Sequence, residues 1–184
     1  AGYPPAEATR GLQEIYRKPV DPELIRQRIR DIKEQGVVAA GSFTPQKVTQ
    51  YIDVALEAGL DILVIQGTVV SAEHVSSREE PLNLKRFIAE LPVPVIVGGC
   101  ASYSTALHLM RTGAVGVLVG VGPGAACTTR QVIGVGVPQA TAIADAAGAR
   151  MQNLLETGRY VKVIADGGMS YGRDLAKAIP RGAA

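Results

Sequence analysis

Apolar positions alternate along the chain between spaced stripes and short unbroken runs. Asp21-Pro22 opens the first clear unit, because Asp caps a helix well and Pro is tolerated at its first position. Ile25, Ile29 and Ile32 follow at i, i+4 and i+7, a single apolar stripe on a charged helix. Gly36 stops it, and Val37-Val38-Ala39-Ala40 reads as a buried strand. The unit then recurs. Thr44-Pro45 predicts a helix with Val48, Ile52, Ala55 and Leu56 on one face, stopped by Gly59 before the strand Asp61–Ile65. Leu84, Phe87, Ile88 and Leu91 mark a short helix before Val93–Val97. A helix near 103–112 ends at Gly113 before Val115–Val119, and one from about Pro138 to Glu156 ends at Gly158 before Tyr160–Ile164. The five runs are apolar nearly throughout, as strands buried on both faces of a helix-covered parallel sheet would be.

Two α/β architectures fit this alternation, an open doubly wound sheet and a (β/α)8 barrel. A whole barrel needs about 250 residues and eight strands, so five strands in 184 residues would be an incomplete barrel or a complete open sheet. The segment Lys177–Ala184 reads as a helix end and a Gly stop with no strand after it, and the chain does not open on Met. Both features predict a piece of a longer protein, with one incomplete domain over 1–184.

Composition narrows the function classes. At 47% hydrophobic and 20% charged the chain reads as a globular domain, and a net charge of +2 gives no reason to expect nucleic acid. Gly or a charge interrupts every apolar run before the ~18 residues of a membrane span. The first residues have no basic stretch followed by an apolar one, and Cys100 and Cys127 are too few for a disulfide scaffold. The expected compartment is therefore the cytoplasm.

In either architecture ligands bind at the carboxyl ends of the strands. The richest such segment is Gly120-Val121-Gly122-Pro123-Gly124-Ala125-Ala126-Cys127-Thr128-Thr129-Arg130. Its glycines let a ligand or ion approach the backbone, while a hydroxyl and a guanidinium near Cys127 favour the nucleophilic thiolate. The competing reading makes Cys127 a small buried hydrophobe. Gly120-x-Gly122-x-x-Ala125 also satisfies a loose dinucleotide fingerprint. Pro123 and the Thr-Thr-Arg run argue against the helix start that fingerprint needs, and Asp145 falls inside a helical stretch. The second candidate is Ala165-Asp166-Gly167-Gly168, where Asp166 can accept sugar hydroxyls and the glycines can offer N–H groups to a phosphate just before a helix. A plain Asp-Gly turn is the alternative. His74 and His108 lack metal-ligand spacing, Glu79, Glu80, Lys85 and Arg86 read as a solvated face, and Cys100 follows a strand at a position that could line the mouth or the core.

Gly122-x-Gly124-x-x-Cys127-Thr128-Thr129-Arg130, then Gly134-Val135-Gly136-Val137-Pro138-Gln139, then Ala165-Asp166-Gly167-Gly168 resemble the IMP dehydrogenase / GMP reductase family in order and spacing. Residues 113–178 carry nearly all the specificity, and Val64–His74 looks closest to an IMP-dehydrogenase-related bacterial branch. The resemblance implies a (β/α)8 barrel in which the five strands are the third to seventh. It makes Cys127 the nucleophile at C2 of a purine nucleotide, with Thr129 positioning the attacking or leaving group. A dehydrogenase passes hydride to NAD and turns IMP into XMP; a reductase turns GMP into IMP with NADPH. The resemblance also implies K+ on the carbonyls of Gly122, Gly124 and Cys127, and ribose hydroxyls on Asp166 with phosphate near Gly167 and Gly168. Gln66, Gly67 and Thr68, with Gly120, Val121 and Gly122, would face the cofactor. Relatives are commonly tetramers.

The departures carry information too. Gln66 stands where dehydrogenases usually place an Asp that contacts the nicotinamide riboside, Ala125 where a phosphate-binding Ser is expected, and Cys100 where an Asn often follows the paired glycines. The run Gly122-Pro123-Gly124 is more reductase-like. A nucleotide-binding relative that has lost turnover is a further expectation, and the isolated 184 residues are expected to be inactive and aggregation-prone through unpaired strand edges.

Overall fold

A computed structural model of the chain describes residue 4, residues 7–67 and residues 82–184. Its five strands are β1 (Ala40–Phe43), β2 (Ile62–Gln66), β3 (Val95–Cys100), β4 (Gly116–Val119) and β5 (Lys162–Ala165). Every neighbouring pair is parallel and the order is β1-β2-β3-β4-β5. A doubly wound sheet reverses its order at a switch point, whereas a barrel adds each new strand beside the last. The monotonic order therefore resolves the two architectures in favour of a partial barrel of five βα units.

Eight helices join the described strands: α1 (Ala8–Tyr16), α2 (Pro22–Lys33), α3 (Val48–Glu57), α4 (Leu84–Glu90), α5 (Tyr103–Met110), α6 (Thr129–Ile133), α7 (Gln139–Thr157) and α8 (Gly172–Ala178). The caps follow the sequence in most places. Asp21 accepts from Glu23 N at 2.9 Å with Pro22 at the first helical position, and Asn83 accepts from Arg86 N at 3.0 Å. Ser102 accepts from Thr105 N at 3.3 Å. Thr44-Pro45 instead forms a turn that delays α3 to Val48, with Lys47 N and Val48 N both donating to Thr44 O at 3.0 Å.

Each strand lies further along the chain than its apolar run. The largest correction is at β1: Val37 and Val38 are 55% and 64% exposed, and the ladder to β2 begins only at Ala40. Ala39 N instead donates to Asp61 Oδ2 at 2.8 Å, a carboxylate also held by Lys33 Nζ. The sheet is also not buried equally on its two faces. Leu63, Ile65, Val95, Val97, Val117, Val119 and Val163 are fully buried against the helices. The alternate residues Ile62, Val64 and Gln66 of β2 and Ile96, Leu118 and Ile164 of its neighbours are half-buried, so they line the concave side. Small residues on α7, among them Ala142, Ala146 and Ala149, are buried in the same core, and α7 packs on α5 and β5.

The register brings the strand ends to one rim, with Gln66 opposite Gly98, Cys100 opposite Val119 and Val119 opposite Ala165. Past α8 the last residue, Ala184, donates its N–H to Val163 O at 2.8 Å on the edge of β5 away from β4. Among the described residues no helix is long and apolar enough to cross a membrane.

Candidate active site

Two loops and the end of a strand meet at the carboxyl rim. The first follows β4, where the chain turns at Gly120 with φ +149° and Gly122 with φ +67°, conformations that L side chains avoid. Gly120 N donates to Cys100 O at 2.8 Å, and a Cβ on Gly120 would collide with the Asp166 carbonyl oxygen. Val121 is buried. Gly120 and Val121 thus fix the floor of the rim, while Gly122, Pro123 and Gly124 rise from it and Ala125, Ala126 and Cys127 are exposed.

Cys127 is free and exposed, which excludes the buried-hydrophobe reading. Its Sγ–H donates to Thr129 Oγ1 at 3.2 Å. The hydroxyl and then the backbone N–H of Thr129 hold the thiol below its ordinary value, with the Arg130 charge a smaller contribution. The guanidinium of Arg130 acts chiefly as a brace: Nε donates to Val121 O at 3.1 Å and Nη2 to Val137 O at 2.6 Å, tying the entry of the loop to its exit. It passes so close to Gly136 that a Cβ there would lie 2.5 Å from Nε. The Thr-Thr-Arg run does not prevent a helix, as the sequence suggested, but starts one: Gln131 N and Val132 N donate to Thr128 O, and the short α6 stops at Gly134 with φ +68°. That start lies beyond Cys127 rather than within the glycines, and Asp145 is inside α7, so the dinucleotide fingerprint does not hold.

The second loop follows β5. Asp166 N donates to Val119 O at 2.9 Å, which anchors it beside β4. Gly167 and Gly168 take φ +84° and +75°, and a Cβ on Gly167 would sit 3.1 Å from Pro123 Cγ and 3.3 Å from Gly124 N. The Asp-Gly-Gly turn therefore lies so close to the Cys127 loop that a side chain on Gly167 would press on Pro123 and Gly124. Among the described residues no acceptor pairs with the N–H of Gly167 or Gly168. The helix expected directly after them starts later, at Gly172, and Ser170 N and Tyr171 N already donate to Asp174 Oδ2 at 3.1 and 3.0 Å. Those two donations lead the causes that hold the Asp174 carboxyl below its ordinary range.

The third element is the end of β2. Gln66 Nε2 donates to Asp166 Oδ2 at 2.9 Å. In a flat sheet, strands three places apart lie about 14 Å from one another, too far for an amide to reach a carboxylate. The contact requires the sheet to curl as a barrel does. Gly67 continues the ladder, giving its N–H to Gly98 O at 2.9 Å and accepting from Gly99 N at 3.0 Å. Thr68 and the segment through His74 lie outside the described residues, as do Glu79 and Glu80.

The carbonyls of Gly122, Gly124 and Cys127 are neutral hard oxygens, a donor set that fits a monovalent cation, and no cluster of His, Cys, Asp or Glu among the described residues fits a transition metal. Gly124 O already accepts from Cys127 N at 3.0 Å and keeps a second lone pair. For a nicotinamide dinucleotide, Gln66 supplies no carboxylate that could grip a ribose, and its amide N–H is taken by Asp166. Gln139 is a residue whose place the strand pattern did not reveal: its Nε2 donates to Val119 O at 2.5 Å and braces the end of β4 from the start of α7. Only its position in the Gly-Val-Gly-Val-Pro-Gln motif pointed to it.

The family model described as "IMP dehydrogenase / GMP reductase domain" matches residues 9–184. An uncharacterized oxidoreductase of Mycolicibacterium smegmatis is 52% identical over 97% of this chain and 48% of its own length. The IMP dehydrogenase of Haemophilus influenzae is 38% identical over 94% of this chain and 32% of its own length. The crystal structure of an IMP dehydrogenase/GMP reductase-like protein from Corynebacterium glutamicum superposes with a TM-score of 0.87 at 49% identity, over 97% of this chain and 46% of that one. This chain thus spans about half the length of the mycobacterial relative and about a third of that of the Haemophilus one. Through residues 9–184, the chain belongs to the IMP dehydrogenase / GMP reductase family.

Proposed function

We propose that the protein is a purine-nucleotide oxidoreductase in which Cys127 attacks C2 of IMP, leading to XMP. The observation that carries this reading is the contact between two loops. An exposed thiol activated by Thr129 stands on a loop that packs directly on the Asp166-Gly167-Gly168 turn. The Asp166 carboxylate would take the ribose hydroxyls, and the unpaired N–H groups of Gly167 and Gly168 would take phosphate. The purine is then held over Cys127.

The sulfur of Cys127 forms a bond to C2, and the hydride leaving C2 is accepted by NAD, the chemistry which that cofactor supplies when bound. Water then adds to C2 and the Cys127 thiolate departs, giving XMP with release of a proton. Thr129 can donate to the departing thiolate through the same hydroxyl that lowers its pKa. K+ would sit on the carbonyls of Gly122, Gly124 and Cys127, where it would steady the loop. The reading includes a cytoplasmic homotetramer.

The run Gly122-Pro123-Gly124 favours a second direction. The reductase reaction is the alternative: the Cys127 thiolate would bond to C2 of GMP, and the C2 amino group would take up protons and leave as ammonia. Hydride of the kind NADPH supplies would add to C2, and the thiolate would depart to leave IMP. Absorbance at 340 nm on the intact protein separates the two. A rise with IMP and NAD supports the dehydrogenase, a fall with GMP and NADPH supports the reductase, and no change with either pair removes turnover and leaves a nucleotide-binding relative.

A further inference from the structure

Gln66 is expected by resemblance to face the cofactor, yet its amide is given to Asp166, 100 residues away in sequence. Both residues project from the concave side of the sheet: Gln66 shares a face with Val64, and Asp166 follows Ile164 at the strand period of two. Both backbones are pinned as well. Gln66 ends β2 in register with Gly98, and Asp166 N is held by Val119 O while its carbonyl lies against Gly120. The one remaining freedom of the Asp166 carboxylate is rotation about its side chain, and the amide removes it.

We propose that Gln66 is the positioning residue for Asp166: its N–H holds one carboxylate oxygen, so that the other oxygen and the Gln66 carbonyl face a vicinal diol as a ribose clamp. The inference rests on the purine-nucleotide reading and deepens it. Oδ2 takes the amide N–H, which leaves Oδ1 and the amide Oε1 as two adjacent acceptors carrying a single negative charge between them. Two hydroxyl donors match two acceptors. A carboxylate at position 66 would bring two anions to 2.9 Å, where they can coexist only by sharing a proton. Among the described residues, other ionisable groups at this end of the sheet include Cys100 at the end of β3 and Cys127 and Arg130 after β4. Lys162, on β5 itself, turns its ammonium to the Tyr160 ring at 5.4 Å.

The test is calorimetric binding of IMP and of 2′-deoxy-IMP to the intact wild-type protein, Q66A and Q66E. Wild type is expected to prefer the ribonucleotide. In Q66A, IMP binding should weaken about tenfold, the loss typical of a misaimed charged hydrogen bond, while 2′-deoxy-IMP changes much less. The isosteric Q66E should bind IMP nearly as well as wild type at pH 6, where the pair shares a proton. It should lose affinity as the pH rises and that proton leaves, against a flatter wild-type profile. Equal losses for both nucleotides in Q66A, or a Q66E profile parallel to wild type, would overturn the clamp. Failure of wild type to bind either nucleotide would overturn the purine reading, and the clamp with it. In that case, the melting temperature of ligand-free Q66E still reports the contact by falling with pH relative to wild type.

Discussion

Two cysteines stand at the same end of the sheet in opposite surroundings. Cys100 closes β3, is buried, and gives its Sγ–H only to Leu118 O at 3.5 Å; burial pushes its thiol up to about 12. Cys127 is exposed on the loop after β4, where the hydroxyl and N–H of Thr129 hold its thiol below the ordinary value. The same side chain is thus a buried packing element in one place and an exposed, more readily ionised thiol in the other. What differs is the dielectric and the donors on the sulfur, and both are set by where the strand stops.

Alkylation with iodoacetamide gives the largest effect. At pH 7 the burial of Cys100 and the Thr129 contacts of Cys127 both favour the Cys127 thiolate strongly. Peptide mass spectrometry should find Cys127 modified long before Cys100, and comparable rates would break the contrast. Next comes Gly167→Ala, which forces a side chain into φ +84° and to within 3.1 Å of Pro123. It should cost about 1–3 kcal/mol in denaturant unfolding and loosen the Cys127 loop; a neutral result would mean that the two loops do not depend on each other. The cysteines should differ in stability as well. Cys100→Ala should lose about 1 kcal/mol by opening a small void, and Cys127→Ala less than about 0.5 kcal/mol. The smallest effect is Thr129→Val, which removes the hydroxyl and raises the Cys127 thiol toward its ordinary value. Since the thiolate is lost as pH falls through its pKa, the variant should alkylate several-fold more slowly at pH 7 and match wild type at pH 10. A rate unchanged at both would mean that Thr129 does not tune the sulfur.

The sequence pattern revealed the winding well and the strand ends badly, for one physical reason. Val95 and Val97 announce β3 because they face the helices, but Gly98, Gly99 and Cys100 complete the strand and no apolar pattern marks them. Gln66 likewise belongs to β2 although it is polar. At the amino side the error reverses: Val37 and Val38 are apolar and lie in the open before β1 begins. Helix stops at Gly113 and Gly158 were legible because a positive φ is needed there, +102° and +71° respectively. Helix α1 was not, because Leu12, Ile15 and Tyr16 point to solvent and nothing in the stripe pairs with a following strand.

At the site, local motifs revealed the Cys127 loop and the Asp166 turn, since each is contiguous. The Gln66–Asp166 contact joins residues 100 positions apart and depends on sheet curvature, which no local pattern encodes. The brace from Arg130 to Val121 O and Val137 O was hidden for a similar reason. A guanidinium three residues from a thiol suggests charge, whereas its geometry serves the backbone.

The central claim is that the Cys127 sulfur bonds to a purine held by the Asp166 turn. Incubating the intact protein with 6-chloropurine ribonucleoside monophosphate and mapping the adduct by mass spectrometry tests it most directly. The account predicts one nucleotide adduct on the Cys127 peptide, suppressed by excess IMP and absent from Cys127→Ala. Labelling that persists in Cys127→Ala, or that falls on Cys100, would contradict it.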